Sequence, residues 1–437
     1  VTSETQTTHS ITFDRDLIAH DAYHIVRILQ KRDFTTYLVG GCVRDILLGK
    51  KPKDFDIATN AHPKDVKRAI ANAFIIGRRF RLVLVKRGDD QYEVSTFRRD
   101  PKPEELAEEM PLGDNLFGTP QEDARRRDFT INGLFYDPIE NKLIDYADGL
   151  ADLRIGVVRM IGDPNVRLLE DPIRILRAIR LAHMIRFSLE PSLRLAIQTH
   201  AESLLKSALP RRREELLKFL RLDNPALPFL TSLDLGVLDY VSPTLVATLR
   251  DTAKNELFLK SLFQFHDHNL ETPTELFAGL ILAFYLSENN GELHPDFRAN
   301  EILEDAKYIK LMRDELGLFK SEQEDITKAL QLVALLKKRQ DFEKRGERRR
   351  ITIVRSPSFD LALKLCQREH WLSPTDYAFW REEAERLERL SPAPPRDDRK
   401  KRRRRRRPFD RNRREPGTSA SSEAGKAESS QPESSES

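Results

Sequence analysis

Two periods of apolar residues divide this chain. Between 36 and about 160, short runs rich in β-branched and aromatic residues alternate with brief amphipathic stretches. From about 165 to 390 the apolar positions recur at helical spacing. The pattern predicts a helix over 21–31 and a strand over 37–39 that runs into Gly40-Gly41. A helix over 43–48 follows, with Gly49 as its C-terminal cap. Residues 53–59 read as a strand, and His62-Pro63 opens a helix to about residue 73. Residues 81–87 and 91–97 read as strands joined by the turn Gly88-Asp89-Asp90. Thr119-Pro120-Gln121-Glu122 is a capping box with proline at the first helical position, and predicts a helix to about residue 136. After Ser391 apolar residues nearly vanish, which predicts disorder. The organisation expected is a polar leader with a first helix (1–35), a mixed-sheet head (36–160), a helical neck (161–225), a helical body (226–390) and a tail (391–437). The fold class is α+β.

Composition narrows this picture. With 437 residues and 39% apolar content, the chain can bury a large core and is not wholly disordered. The longest apolar run, 276–286, is well short of the roughly 20 residues of a spanning helix, so no membrane partner is expected. Cys42 and Cys366 cannot build a disulfide framework or a zinc module, and sparse thiols fit a cytoplasmic location. The first residues lack the apolar stretch of a signal peptide. The net charge of +4 is unevenly spread: 396–415 holds 13 Lys/Arg against 4 Asp/Glu. Such an arm suits a phosphate polymer, and Lys401, Arg402, Arg403 and Arg404 at its centre are candidate RNA contacts.

Two short motifs carry candidate chemistry. In Asp54-Phe55-Asp56, residues two apart on a strand share a face, so both carboxylates converge. Like charges that close repel unless a divalent cation sits between them. Hard oxygen ligands of this kind suit Mg²⁺ in a two-metal phosphoryl-transfer site. In Gly40-Gly41-Cys42-Val43-Arg44, glycines between strand and helix let the backbone approach a phosphate, and Arg44 adds a cation. Each motif alone also fits an ordinary strand end or turn.

Together, LVGGCVRDILLGKKPKDFD resembles the opening of the tRNA nucleotidyltransferase/poly(A) polymerase family, which extends RNA 3′ ends without a nucleic-acid template. The resemblance places triphosphate contacts on Gly40, Gly41 and Arg44, and the metals on Asp54 and Asp56. Arg126-Arg127-Asp128-Phe129-Thr130-Ile131-Asn132 resembles the family's second motif; Arg127 suits phosphate or ribose, and Asp128 a third carboxylate. Glu93, in the strand 91–97, is the rival for that third place. The stretch 145–153 resembles the link between head and neck. Glu170-Asp171-Pro172-Ile173-Arg174-Ile175-Leu176-Arg177 resembles the base-reading motif, read as a helix start capped by Asp171. On one helical face, Asp171 accepts from an exocyclic amino group while Arg174 donates to a ring nitrogen. That pair suits adenine and cytosine alike, and Arg177 adds a nucleotide contact.

Two stretches lean toward the poly(A) branch over the CCA-adding branch. Residues 75–82 resemble a segment of bacterial poly(A) polymerases, with Arg78 and Arg79 as candidate RNA contacts; 114–120 looks similar to that type as well. His266-Asp267-His268 reads as a structural loop. The expected activity is template-independent addition of AMP from ATP to RNA 3′ ends, with Mg²⁺ as cofactor and pyrophosphate as product. Expected partners are ATP, RNA 3′ ends and RNA-decay proteins; the oligomeric state is left open. A CCA-adding enzyme or a non-catalytic RNA-binding protein are the alternatives.

Overall fold

The computed structural model describes residues 6–77, 81–101, 116–264 and 270–390. Arg78, Arg79, the His266–His268 loop, residues 114–115 and the whole tail with Lys401, Arg402, Arg403 and Arg404 lie outside the described residues.

Eight strands form one sheet: β1 (Thr7–Ser10), β2 (Thr36–Val39), β3 (Asp56–Thr59), β4 (Ala73–Ile76), β5 (Leu82–Arg87), β6 (Asp90–Thr96), β7 (Leu134–Asp137) and β8 (Lys142–Asp145). Their order is β1-β8-β7-β2-β3-β6-β5-β4. Every neighbouring pair is antiparallel except β3 and β6, which run parallel with Asp56 opposite Glu93. The sheet is therefore mixed, as an α+β head requires.

Alternation along the strands makes two faces. Leu38, Ile57, Val83, Val85 and Val94 point into a core closed by the helix His20–Gln30 and the helix Pro63–Ala69. Val39, Ala58, Phe97 and Phe135 belong to a smaller cluster on the other face, joined by Tyr37 and Tyr146. Asp56 alternates with Ile57 and Glu93 with Val94, so both carboxylates stand on this second face.

Four elements differ from the sequence expectation. The first residues, read as a polar leader, include β1, which adds an edge strand beside β8. The strand expected over 53–59 begins only at Asp56. Its partner β2 ends opposite it at Val39, where Gly40 (φ +76°) turns the chain into the helix Gly41–Leu47, so Asp54 sits in a bend with no strand beside it. The helix from Pro63 stops at Ala69; a left-handed turn at Asn72 (φ +58°) then feeds β4. The helix expected to residue 136 is the short Pro120–Arg125, followed by a 3₁₀ turn, Thr130–Asn132, and β7. Tertiary bonds take the backbone there. Arg167 donates to the carbonyls of Arg126 (2.8 Å) and Arg127 (3.0 Å), and Phe129 bridges to Met160.

The rest is helical apart from a two-strand parallel pair, Val157–Val158 with Ser188–Leu189. One core runs through it, from Phe129 and Ile173 to Trp380. The helix Ile173–Ile185 buries Ile175, Leu176, Ile179 and Ala182, the stripe its periodicity predicts. The link 145–153 is pinned under the 3₁₀ turn. Asp145 accepts from the N–H groups of Ala147, Gly149 and Leu150, and Asp152 accepts from Thr130 Oγ1. A Cβ at Gly149 would lie 2.2 Å from the Thr130 carbonyl oxygen, so only glycine fits.

Candidate active site

A cleft of about 1380 Å³ opens between the sheet's second face and the helix Ile173–Ile185. Gly41, Arg44, Asp54, Asp56, Asp128 and Arg177 all line it. Six of the expected site residues are thus brought together from four separate stretches of chain.

The glycine turn explains its own composition. Gly40 has a left-handed φ, and a Cβ there would sit 3.0 Å from Arg127 Nη1 and 3.6 Å from Asp56 Oδ2. The turn therefore lies directly against one cation and one carboxylate of the acidic pair. Arg44 is buried, yet faces the cleft. Its Nε and Nη2 donate to Asp45 Oδ1 (2.9 and 2.6 Å), and its Nη1 donates to Asn132 Oδ1 (2.7 Å). A guanidinium has five N–H donors, so two remain for a ligand oxygen.

Asp56 opens onto the cleft with protein packed behind it. Burial pushes its carboxyl above the usual carboxylate range; Arg127 pulls it down and Asp54 pushes it up. Burial also pushes Glu93 up, with further contributions from Asp56 and Asp54. Three carboxylates therefore repel one another around the start of β3. Cys42 lies beneath them, its thiol directed to the carbonyls of Val39 (3.2 Å) and Asp56 (3.9 Å) and pushed up to about 12 by burial. It is an uncharged packing group at neutral pH.

Asp128 is differently placed. Its Oδ2 pairs with Arg177 Nη2 at 2.6 Å, and its Oδ1 accepts from Phe129 N–H (2.9 Å) and Asn132 Nδ2 (3.2 Å). Its charge is spent on Arg177, whereas Glu93 stands opposite Asp56 and feels both aspartates. Of the two candidates for third carboxylate, the geometry favours Glu93 over Asp128. Arg127 is held by Asp123 (3.0 Å) and lies over the Phe135 ring at 5.2 Å.

Among the described residues no three His, Cys, Asp or Glu side chains form a ready-made metal cage. The donor set still fits Mg²⁺, which is usually held by one or two carboxylates plus substrate phosphates and water.

The base-reading segment is built differently from the expectation. Asp171 lies outside the helix Ile173–Ile185, in the kink after the helix Pro164–Glu170, and its side chain caps nothing. It does not pair with Arg174. Arg211 grips it with two bonds of 2.8 Å, while Arg174 Nη1 donates to the Arg167 carbonyl (2.6 Å) and Glu170 (3.1 Å). Pro172 breaks the backbone between the two residues, which separates their faces. Neither lines the cleft; Arg177 does.

Sequence reasoning missed Asn132, which ties Arg44 to Asp128, and Asp123, which orients Arg127. Asp123 had a readable signal, four residues before an arginine on one helical stretch. Lys50, Lys51, Lys53, Lys218 and Arg221 also line the cleft and were not singled out.

An acidic pair at the start of a strand, a glycine turn beside it and a helical wall opposite define a nucleotidyltransferase head. Comparison with known proteins agrees. Residues 36–159 match the model of the poly A polymerase head domain, and 186–249 match a probable RNA and SrmB-binding site of polymerase A. The chain is 40% identical over 253 residues to poly(A) polymerase I of Haemophilus influenzae, covering 56% of this chain and 55% of that one. It is 36% identical over 199 residues to the CCA-adding enzyme of Lactobacillus helveticus, covering 45% and 49%. The fold is similar to that of the Bacillus stearothermophilus CCA-adding enzyme in complex with CTP, with a TM-score of 0.60 and 23% identity over 85% of this chain and 82% of that one. The chain spans about half the length of the curated relatives it matches. The likeness in sequence thus lies in the head and the segment after it, which are similar to those of poly(A) polymerases and CCA-adding enzymes.

Proposed function

We propose that the protein adds AMP from ATP to RNA 3′ ends without a template, releasing pyrophosphate, and that it works in cytoplasmic RNA processing and decay. The observation that carries this reading is the cluster of Asp54, Asp56 and Glu93 beside the Gly40-Gly41 turn, with Asp54 and Asp56 lining a cleft of about 1380 Å³. The higher identity to poly(A) polymerase I supports ATP over CTP.

In this mechanism the triphosphate lies along the glycine turn. Arg44 donates its two free N–H groups to phosphate oxygens, and Arg127 sets the potential at Asp56. Asp54 and Asp56 would hold Mg²⁺, with Glu93 as a third negative charge that the ions would offset. Bound Mg²⁺ lowers the pKa of the RNA 3′ hydroxyl and neutralises charge on the phosphates. The 3′ oxygen bonds to the α-phosphorus as the bond to the β-phosphate breaks. Arg177 and Lys218 line the opposite wall, where the base and ribose lie. Asp171 and Arg174 lie off the cleft, so base reading by them would require release from Arg211 and Glu170.

CCA addition is the second reading, favoured by the Lactobacillus relative. One assay separates them. Purified protein with Mg²⁺ is offered ATP or CTP on a generic RNA and on a tRNA lacking its terminus. Repeated AMP addition to generic RNA is expected. Addition that needs the tRNA, uses CTP and stops after a fixed count would replace this reading with CCA addition.

A further inference from the structure

The helical part carries a second charged feature that shares no lining residue with the nucleotide cleft. A groove of about 760 Å³ lies between the loop 295–298, the helix Lys320–Leu336 and the helix Glu347–Val354. Leu332, Leu335 and Ile353 give it partly buried apolar walls, over the buried Phe297.

Its acids are already neutralised. Asp296 pairs with Lys338 at 3.0 Å, and Asp341 pairs with Lys344 at 3.7 Å. Four further cations line the groove: Arg298, Lys328, Arg345 and Arg349. All four are exposed, and none forms an ion pair among the described residues. Four like charges round one concavity repel one another, and the Asp296 carboxylate, which feels Arg298 but is paired with Lys338, offsets only part of that repulsion. They lower their energy together only when a polyanion enters.

We propose that this groove holds the phosphate backbone of single-stranded RNA upstream of the 3′ end being extended, with the bases against its apolar walls. The proposal rests on the transferase reading and adds a binding surface outside the matched RNA-binding segment 186–249. A groove between helices admits a single strand, whereas a bilayer needs a convex or flat basic face.

The test uses the full chain and a variant with R298A, K328A, R345A and R349A. Binding of a 30-nucleotide RNA is measured against salt, and AMP addition is measured on 30- and 5-nucleotide RNAs. Each lost phosphate contact removes about 0.7 from the log–log salt slope, so the slope falls by about three. KM for the long RNA rises roughly tenfold at physiological salt, with KM for ATP and addition to the short RNA unchanged. Unchanged slope and KM overturn the proposal, as does an equal loss on both RNA lengths. Loss of binding to phosphatidylglycerol vesicles with RNA binding intact overturns it in favour of a membrane. The salt slope is read without turnover, so failure of the groove and failure of the transferase reading are separable.

Discussion

The two walls of the nucleotide cleft treat acid side chains in opposite ways. On the sheet wall, Asp54, Asp56 and Glu93 crowd together, and burial and mutual repulsion hold the Asp56 and Glu93 carboxyls high. On the helical side most acids near the cleft have a cation, although Asp223, which lines it, has no ion pair among the described residues. Asp128 has Arg177, Asp171 has Arg211, Glu170 has Arg167 and Arg174, and Glu215 has Arg180 and Lys218, which hold its carboxyl low. The sheet wall is electrostatically unfinished and gains from a divalent cation. The helical wall is finished and can act as a rigid template for a base. On the proposed reading, metal binding and nucleotide discrimination fall on opposite sides of the cleft.

The largest break in this contrast is Asp56→Asn. Loss of one metal ligand removes several kcal/mol of transition-state stabilisation, so single-turnover AMP addition falls by roughly a thousandfold or more. RNA affinity, read by filter binding, stays within about twofold. Wild-type-like turnover would remove the metal assignment.

Next comes stability against metal and pH. A raised carboxyl binds protons more readily in the folded state than in the unfolded chain. Stability therefore falls as pH rises from the ordinary carboxylate range through the folded values of Asp56 and Glu93. Without metal, Asp56→Asn should melt higher than the parent at neutral pH, with the advantage vanishing in acid. Mg²⁺ at a hundred times its dissociation constant should stabilise the parent by about 2.7 kcal/mol and the variant hardly at all. Calorimetry with and without Mg²⁺ checks both.

Gly40→Ala tests the seam between the walls. The left-handed backbone costs about 1–2 kcal/mol with a Cβ, and the 3.0 Å approach pushes Arg127 away from Asp56. We expect a ten- to hundredfold loss in kcat/KM for ATP. Arg177→Ala strands Asp128 on the finished wall. Asp128 keeps two hydrogen bonds, so the stability loss should be about 1–2 kcal/mol by chemical denaturation. The smallest effect is Arg211→Ala. The pair is substantially exposed, so stability changes by less than about 1 kcal/mol, while the ratio of ATP to CTP incorporation shifts as Asp171 is released.

Local pattern was legible wherever a segment's own bonds decide its form. The hairpin of β5 and β6, the capping box at Thr119 and the stripe of the helix Ile173–Ile185 followed from alternation, caps and periodicity. Residues whose backbone is claimed from far away were misread. The stretch 126–132 looks helical, but Arg167 and Met160 take its backbone groups. Asp54 looks like part of a strand, but its neighbour strand ends at Val39. Gly41, Arg44, Asp54, Asp56 and Arg177, singled out where motif and chemistry coincide, all line one cleft. Asn132 reaches Arg44 and Arg211 reaches Asp171 across 88 and 40 positions, a relation no local spacing encodes.

Arg167 joins the helical part to the sheet part by bonding main-chain oxygens at 126 and 127. Whatever side chains evolution places at those two positions, the carbonyls remain. Substitution of the motif's cations therefore leaves these main-chain bonds available, so its charge can change without removing this tie between the two parts.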